Sequence, residues 1–284
     1  MLYNICEVAY MAKHRRSWNH GTFNRYLREG RGQGIGIDYK PWIMVQDFPS
    51  LGMVSRVSGT TTGRIHHLVS NLELSLFFLL DWSDNVTDIR EQYPLTDLAY
   101  VIEIAEKAGI KYPYDRTSGF PYVLTSDFFL ETNQGAMVIS VKPSSELGKP
   151  RVREKLEIER RYWTECGVQW SIATENEINR TKANNIEWLS QARDLTAFGL
   201  SEATQDACRD CFLASYNAGC LPLAVLFKAV ENDFGLATGM GLNVYKHLAY
   251  WKRIVFSADE RVDLKEFCLT PDLYSAGGAM WAST

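Results

Sequence analysis

The chain has no long hydrophobic run, no strong excess of charge and no framework of paired cysteines. No apolar stretch exceeds the five residues of Leu76 to Leu80, far short of the roughly 18 that a membrane-spanning helix needs. No charged segment followed by an apolar one opens the chain, so a cytoplasmic protein is expected. A net charge of -4 over 284 residues excludes coating nucleic acid by bulk charge, so any DNA affinity must come from local patches or from partners. The six cysteines are scattered, as in a reducing compartment. Cys208-Arg209-Asp210-Cys211 and Cys220 lack a second pair or a nearby histidine, so structural zinc is not expected. Cys208, Cys211, Phe212 and Ser215 read instead as one face of a buried helix. What remains is an ordinary globular composition, 46% hydrophobic and 12% aromatic, long enough for a real core and for two domains.

The most informative stretch lies between Tyr122 and Lys142. Tyr122-Val123-Leu124 leads into Asp127, Met137-Val138-Ile139 leads into Ser140 and Lys142, and a turn at Gln134-Gly135-Ala136 joins the two. The pattern predicts a β-hairpin that brings a carboxylate beside an ammonium. Upstream, Glu73 sits on a predicted helix. Two hard oxygen ligands and a lysine are what metal-dependent phosphodiester cleavage requires. The carboxylates suit Mg²⁺, the lysine orients water and offsets charge, and two ions would stabilise the attacking and leaving oxygens. A partly exposed ion pair on neighbouring strands gives the same spacing. Glu73 also has a rival role, because Ser70 reads as a helix N-cap and Glu73 stands at the third helical position, as in a capping box.

A run of motifs resolves these alternatives by resemblance. They are Glu29-Gly30-Arg31-Gly32-Gln33-Gly34, Asp38-Tyr39-Lys40-Pro41-Trp42, Thr62-Gly63-Arg64-Ile65-His66-His67-Leu68 and Leu72-Glu73-Leu74. Asp88-Ile89-Arg90-Glu91-Gln92-Tyr93-Pro94-Leu95, Ser126-Asp127-Phe128, Val141-Lys142-Pro143, Glu157-Ile158-Glu159-Arg160-Arg161-Tyr162-Trp163 and Asn185-Ile186-Glu187-Trp188-Leu189 follow in order. With these, residues 28–189 resemble the TnsA endonucleases of Tn-seven-like transposons, CRISPR-associated ones included. The resemblance implies an α/β, restriction-endonuclease-like mixed sheet flanked by helices, followed by a winged-helix-like C-terminal helical domain. It implies Mg²⁺, with Mn²⁺ as a substitute, and a two-metal cut at the 5′ ends of a transposon. The implied partners are transposon-end DNA, a TnsB-like DDE transposase that joins the 3′ ends, and a TnsC-like AAA+ ATPase. The implied catalytic set is Glu73, Asp127, Ser140 and Lys142, with metal held by Glu73, Asp127, Ser140 and Val141. One departure stands out: the family commonly has Gln or Glu where this chain has Ser140, so a hydroxyl, the backbone or a water must fill that metal position, or the site is weakened. A free-standing restriction or repair nuclease and a non-catalytic assembly subunit are the alternatives.

The remaining expectations follow the chain. Residues 1–34 read as a basic arm, with six Lys or Arg between Lys13 and Arg31 against the single acid Glu29, and with glycines that let the backbone approach a duplex. Arg31, Lys40, Arg64, His66 and His67 are the candidate DNA contacts, with a structural role as the alternative for the His pair. Residues 35–194 make the catalytic domain, in which Pro41 to Gln46 and Gly52 to Val57 are expected strands. The charges of the 151–166 helix are expected to form a solvated face. Residues 195–268 are expected to hold three helices and a hairpin, with strands at 253–256 and 262–264. Residues 269–284 read as a flexible tail.

Overall fold

The computed structural model describes residues 18–47, 53–219, 221–260, 262 and 264. The chain divides into two compact units, Met1–Asn179 and Arg180–Thr284. The expected tail and residues 1–17 of the expected arm lie outside the described residues.

The rest of that arm is folded. Asn19 caps helix α1 (His20–Arg28) by accepting the Thr22 N–H at 2.9 Å. Trp18, 2% exposed, packs with Tyr26, Trp42 and Val123, and its indole donates to the Pro121 carbonyl at 2.8 Å. Burying four large side chains there is worth several kcal/mol, at about 25 cal/mol per Å² of apolar surface. The glycines that follow are used inward. Gly32 and Gly34 both have positive φ, and a β-carbon on either would collide with Pro94 or with the Asp38 backbone. Residues 41–46 do not form the expected strand. Asp47 folds back to accept the Met44 N–H at 2.9 Å and closes a single 3-10 turn, Val45–Asp47.

Strands β1 (Ser55–Ser58) and β2 (Ile65–Leu68) form an antiparallel hairpin. Helix α2 (Asn71–Asp81) follows, packed against β2 and against β3 (Val86–Pro94). Helix α3 (Leu98–Lys107), strands β4 (Thr125–Thr132) and β5 (Gly135–Val141), helix α4 (Pro150–Glu165) and strand β6 (Gln169–Ala173) complete the unit. The sheet order is β3-β4-β5-β6, antiparallel at the first two pairings and parallel at the last. Parallel pairing requires a crossover, and α4 supplies it. Leu95, Val101, Ile104, Phe129, Val138, Ile158 and Trp163 build the core between α3, α4 and the sheet. The expected mixed sheet and its flanking helices are thus present.

The second unit holds α5 (Arg180–Ser190), α6 (Glu202–Ala218), α7 (Leu223–Asp233) and α8 (Met240–Tyr250). Its start at Arg180 differs from the expected boundary after residue 194, because α5 packs on α8. There the Lys246 ammonium lies 4.3 Å from the Trp188 ring centre and donates to the Gln191 side chain at 3.0 Å. Cys208 and Phe212 are fully buried, as the helical face predicted, and Cys211 is partly exposed. The expected strand at residues 253–256 is not formed, and the expected partner strand lies partly outside the described residues. The three expected helices are there; the wing is not seen among the described residues.

Candidate nuclease site

The hairpin places Asp127 and Lys142 together. Pairing of Phe128 with Ile139 sets β4 against β5 so that the end of β5 runs beside Asp127. Asp127 Oδ2 accepts the Val141 N–H at 2.6 Å and the Lys142 ammonium at 2.8 Å. Lys142 also donates to the Val141 carbonyl at 2.8 Å. The ion pair is partly exposed: Asp127 is buried and Lys142 half-buried, so the attraction is screened less than at an open surface.

Glu73 enters from the first turn of α2. The capping reading holds: Ser70 is the N-cap, its hydroxyl accepting the Glu73 N–H at 3.1 Å and donating to Glu73 Oε1 at 2.9 Å. The other oxygen, Oε2, accepts the Val69 N–H at 3.1 Å and the Gln92 carboxamide at 3.3 Å. Capping is only part of its chemistry. Burial first, and then the charge of Asp127, push the Glu73 carboxyl up to about 7, a cap partner that interacts with the hairpin acid.

Ser140 points at a carboxyl that sequence reasoning missed. Its hydroxyl donates to Glu159 Oε1 at 2.5 Å. Glu159 lies on α4, where the charges were expected to be solvated, yet it is only 6% exposed. Its neighbours Glu157, Arg160 and Arg161 do form the outward ion pairs that were expected. Burial and the nearby Asp127 push Glu159 up to about 7 as well. The overlooked signal is helical spacing: Leu156, Glu159 and Trp163 are all buried and fall on one inward stripe.

The candidate DNA contacts divide. Lys40 is exposed, its ammonium 3.1 Å from the Glu29 carbonyl. Arg31 is buried, covers the Tyr26 ring at 3.7 Å and pairs with Asp47 at 2.6 Å and Glu29 at 2.8 Å. Arg64 and His66 face inward to Glu91, with nitrogen-oxygen separations of 2.5 and 2.8 Å. His67 uses Nδ1 to accept the Val45 N–H at 3.1 Å. Of the five, Lys40 is exposed, His67 is half-buried, and Arg31, Arg64 and His66 are buried.

Among the described residues, no three His, Cys, Asp or Glu side chains form a ready-made metal cluster. The donor set nevertheless suits a hard divalent cation. Glu73, Asp127 and Glu159 supply oxygen only, and they share a buried region with a single ammonium, Lys142.

An acid and a lysine on adjoining strands of a mixed sheet, served by two buried carboxyls from helices, place the first unit among endonuclease-like folds. Two family descriptions match consecutive stretches: "TnsA-like endonuclease N terminal" over residues 83–175 and "TnsA endonuclease C terminal" over residues 177–257. A curated relative, the "Transposon Tn7 transposition protein TnsA" of Escherichia coli, is 44% identical over 182 residues, which cover 63% of this chain and 66% of the relative, just under two thirds of its length. The chain belongs to the TnsA-like endonuclease family. Asp127, Ser140, Val141, Lys142 and Glu159 all lie within the first matched stretch, and Glu73 lies ten residues before it. The change of family description near residue 176 lies close to the structural division at Arg180.

Proposed function

We propose that this protein is the Mg²⁺-dependent DNA endonuclease of a heteromeric transposase, cutting the 5′ ends of a transposon, with Mn²⁺ able to substitute. The observation that carries the reading is Asp127 held between the Val141 N–H and the Lys142 ammonium on neighbouring strands. Glu73, Asp127 and the Val141 carbonyl are the proposed metal ligands, and Glu159 is added to them. Ser140 acts through Glu159, whose buried carboxyl its hydroxyl holds. When bound, the cation supplies positive charge to the phosphate and lowers the pKa of a coordinated water; a pair of ions would serve both the entering and leaving oxygens. Asp127 fixes the lysine, and the Lys142 ammonium, steered by the Val141 carbonyl, orients the water and balances charge as the phosphorus becomes five-coordinate. Lys40 is the proposed phosphate contact of the first unit.

Ser140→Ala is accordingly expected to retain cleavage within about tenfold, whereas Glu159→Ala loses about a hundredfold, the scale for removing one preorganised group. Nicking rates on an end-labelled duplex measure both. Equal and complete losses would make the Ser140 hydroxyl a ligand in its own right.

With a net charge of -4, few phosphates are neutralised by the chain alone, and affinity follows that number. Sequence choice therefore comes from the partners, a TnsB-like DDE transposase that joins the 3′ ends and a TnsC-like AAA+ ATPase docked on the second unit. The testing experiment is cleavage of transposon-end DNA in Mg²⁺ with and without those partners, the expected result being cutting only when they are added. Ending the chain after Asn179 should abolish ATPase capture in a pull-down. Truncation at residue 197 is the poorer cut, since it strips α8 from the buried Ala183, Ile186 and Leu189 of α5. Specific cutting by the isolated chain would favour a free-standing nuclease, and partner binding without cutting an assembly subunit.

A further inference from the structure

Gln92 adopts a backbone conformation that a glutamine ordinarily avoids. Its φ is +49°, and among the described residues only Lys252 shares a positive φ without being glycine. It is buried within β3, between Glu91, paired with Phe128, and Tyr93, paired with Ser126, so it falls across from Asp127.

The left-handed residue breaks the strand's alternation. Residues two apart on a regular strand share a face. Glu91 here turns to Arg64 and His66, while Tyr93 stacks on Phe129, ring centres 4.7 Å apart, and packs on Trp163 in the core under α3 and α4. The change of side happens at Gln92. Its carboxamide is then clamped at both ends: Oε1 accepts the Thr125 hydroxyl at 3.2 Å, which fixes which way the amide faces, and Nε2 donates to Glu73 Oε2 at 3.3 Å. Its carbonyl accepts the Trp42 N–H at 3.2 Å, which ties the kink to the α1 cluster. Strain of this kind persists only where the surroundings enforce it.

We propose that Gln92 is a positioning residue of the nuclease site, its kinked backbone and clamped carboxamide holding the Glu73 carboxyl on the Asp127 side of the sheet. This rests on the metal-site reading above. Groups that hydrogen-bond a metal ligand set its orientation, and losing one typically costs about ten- to a hundredfold in metal affinity.

The test is Mn²⁺ binding to the full chain, followed by the spin-resonance signal of free Mn²⁺, with the thermal midpoint of each variant measured in parallel. Gln92→Gly accepts the positive φ and removes the amide; Gln92→Met keeps the length and removes both hydrogen bonds. The expected result is a roughly tenfold weaker Mn²⁺ affinity in every variant that is folded at the assay temperature, with the Gly variant melting within a few degrees of the parent. A purely structural role predicts a lowered midpoint and parental affinity, and parental affinity in either folded variant overturns the proposal. If the Met variant does not fold, the Gly variant decides. Asp127→Ala separates the two layers: if it binds Mn²⁺ as the parent does, the metal-site reading fails and this inference falls with it, whereas Asp127-dependent binding unaffected at Gln92 removes this inference alone.

Discussion

Asp127→Ala is expected to abolish 5′-strand nicking in a reconstituted transposition mixture while 3′-end joining by the partner continues. Asp127 is the one carboxylate on the hairpin that holds both the Lys142 ammonium and the Val141 N–H. Its removal takes away a proposed metal ligand and, at the same moment, the carboxylate partner of the lysine. A loss of about a thousandfold, the upper range for deleting one preorganised charge-stabilising group, sets the scale. Strand-specific mapping of product ends checks it, with a melting curve to confirm that the fold survives. Lys142→Ala should give the same products. Normal 5′ ends from either variant would sink the site assignment.

The largest stability effect is expected at Glu91. It is fully buried, receives two nitrogens of Arg64 at 2.8 and 2.5 Å, meets His66 Nδ1 at 2.8 Å and accepts the His67 N–H at 2.9 Å. Burial alone would raise its carboxyl, but the hydrogen bonds and charges of Arg64 and His66 outweigh that and bring it down from 4.5 to about 2. Glu91→Ala strands a buried guanidinium, a change that costs about 3–5 kcal/mol and lowers the melting midpoint by on the order of 10 °C in a unit of this size. The pH dependence has a definite sign. A depressed folded pKa stabilises above the unfolded value, and that contribution is lost as pH falls through the folded one. The parent's advantage over Glu91→Gln should therefore be full at neutral pH and shrink between about 4.5 and about 2. Thermal melts of the two chains across that range measure it, and a gap that widens on acidification would contradict the ion-pair account.

What the sequence made legible follows from how local each signal is. The β4–β5 hairpin and the Ser70 cap are local patterns, and they fold as patterned. Glu159 was hidden because α4 carries acids on both faces, and only the inward spacing of Leu156 and Trp163 distinguishes it from Glu157. The basic count around Arg31 suggested a DNA-binding arm, but Asp47, sixteen residues on, claims that guanidinium. Nothing local announces such a partner. Glu91, which pairs with Arg64 and His66 from β3, is equally out of reach of a local reading. The strand expected at residues 41–46 failed because one carboxylate, Asp47, closes a turn on the Met44 N–H. In the second unit apolar periodicity found the helices, while the packing of α5 on α8 joins segments about sixty residues apart and has no local signature.

The crossover also sets the order in which the proposed site is assembled during synthesis. Glu73, Asp127 and Lys142 precede Glu159 in the chain, and β6 is the last strand of the sheet to be made. Domains emerge N-terminal part first and fold as units. In the proposed site, Glu159 is therefore the last carboxyl to be made, after the hairpin acid and its lysine are already in the chain.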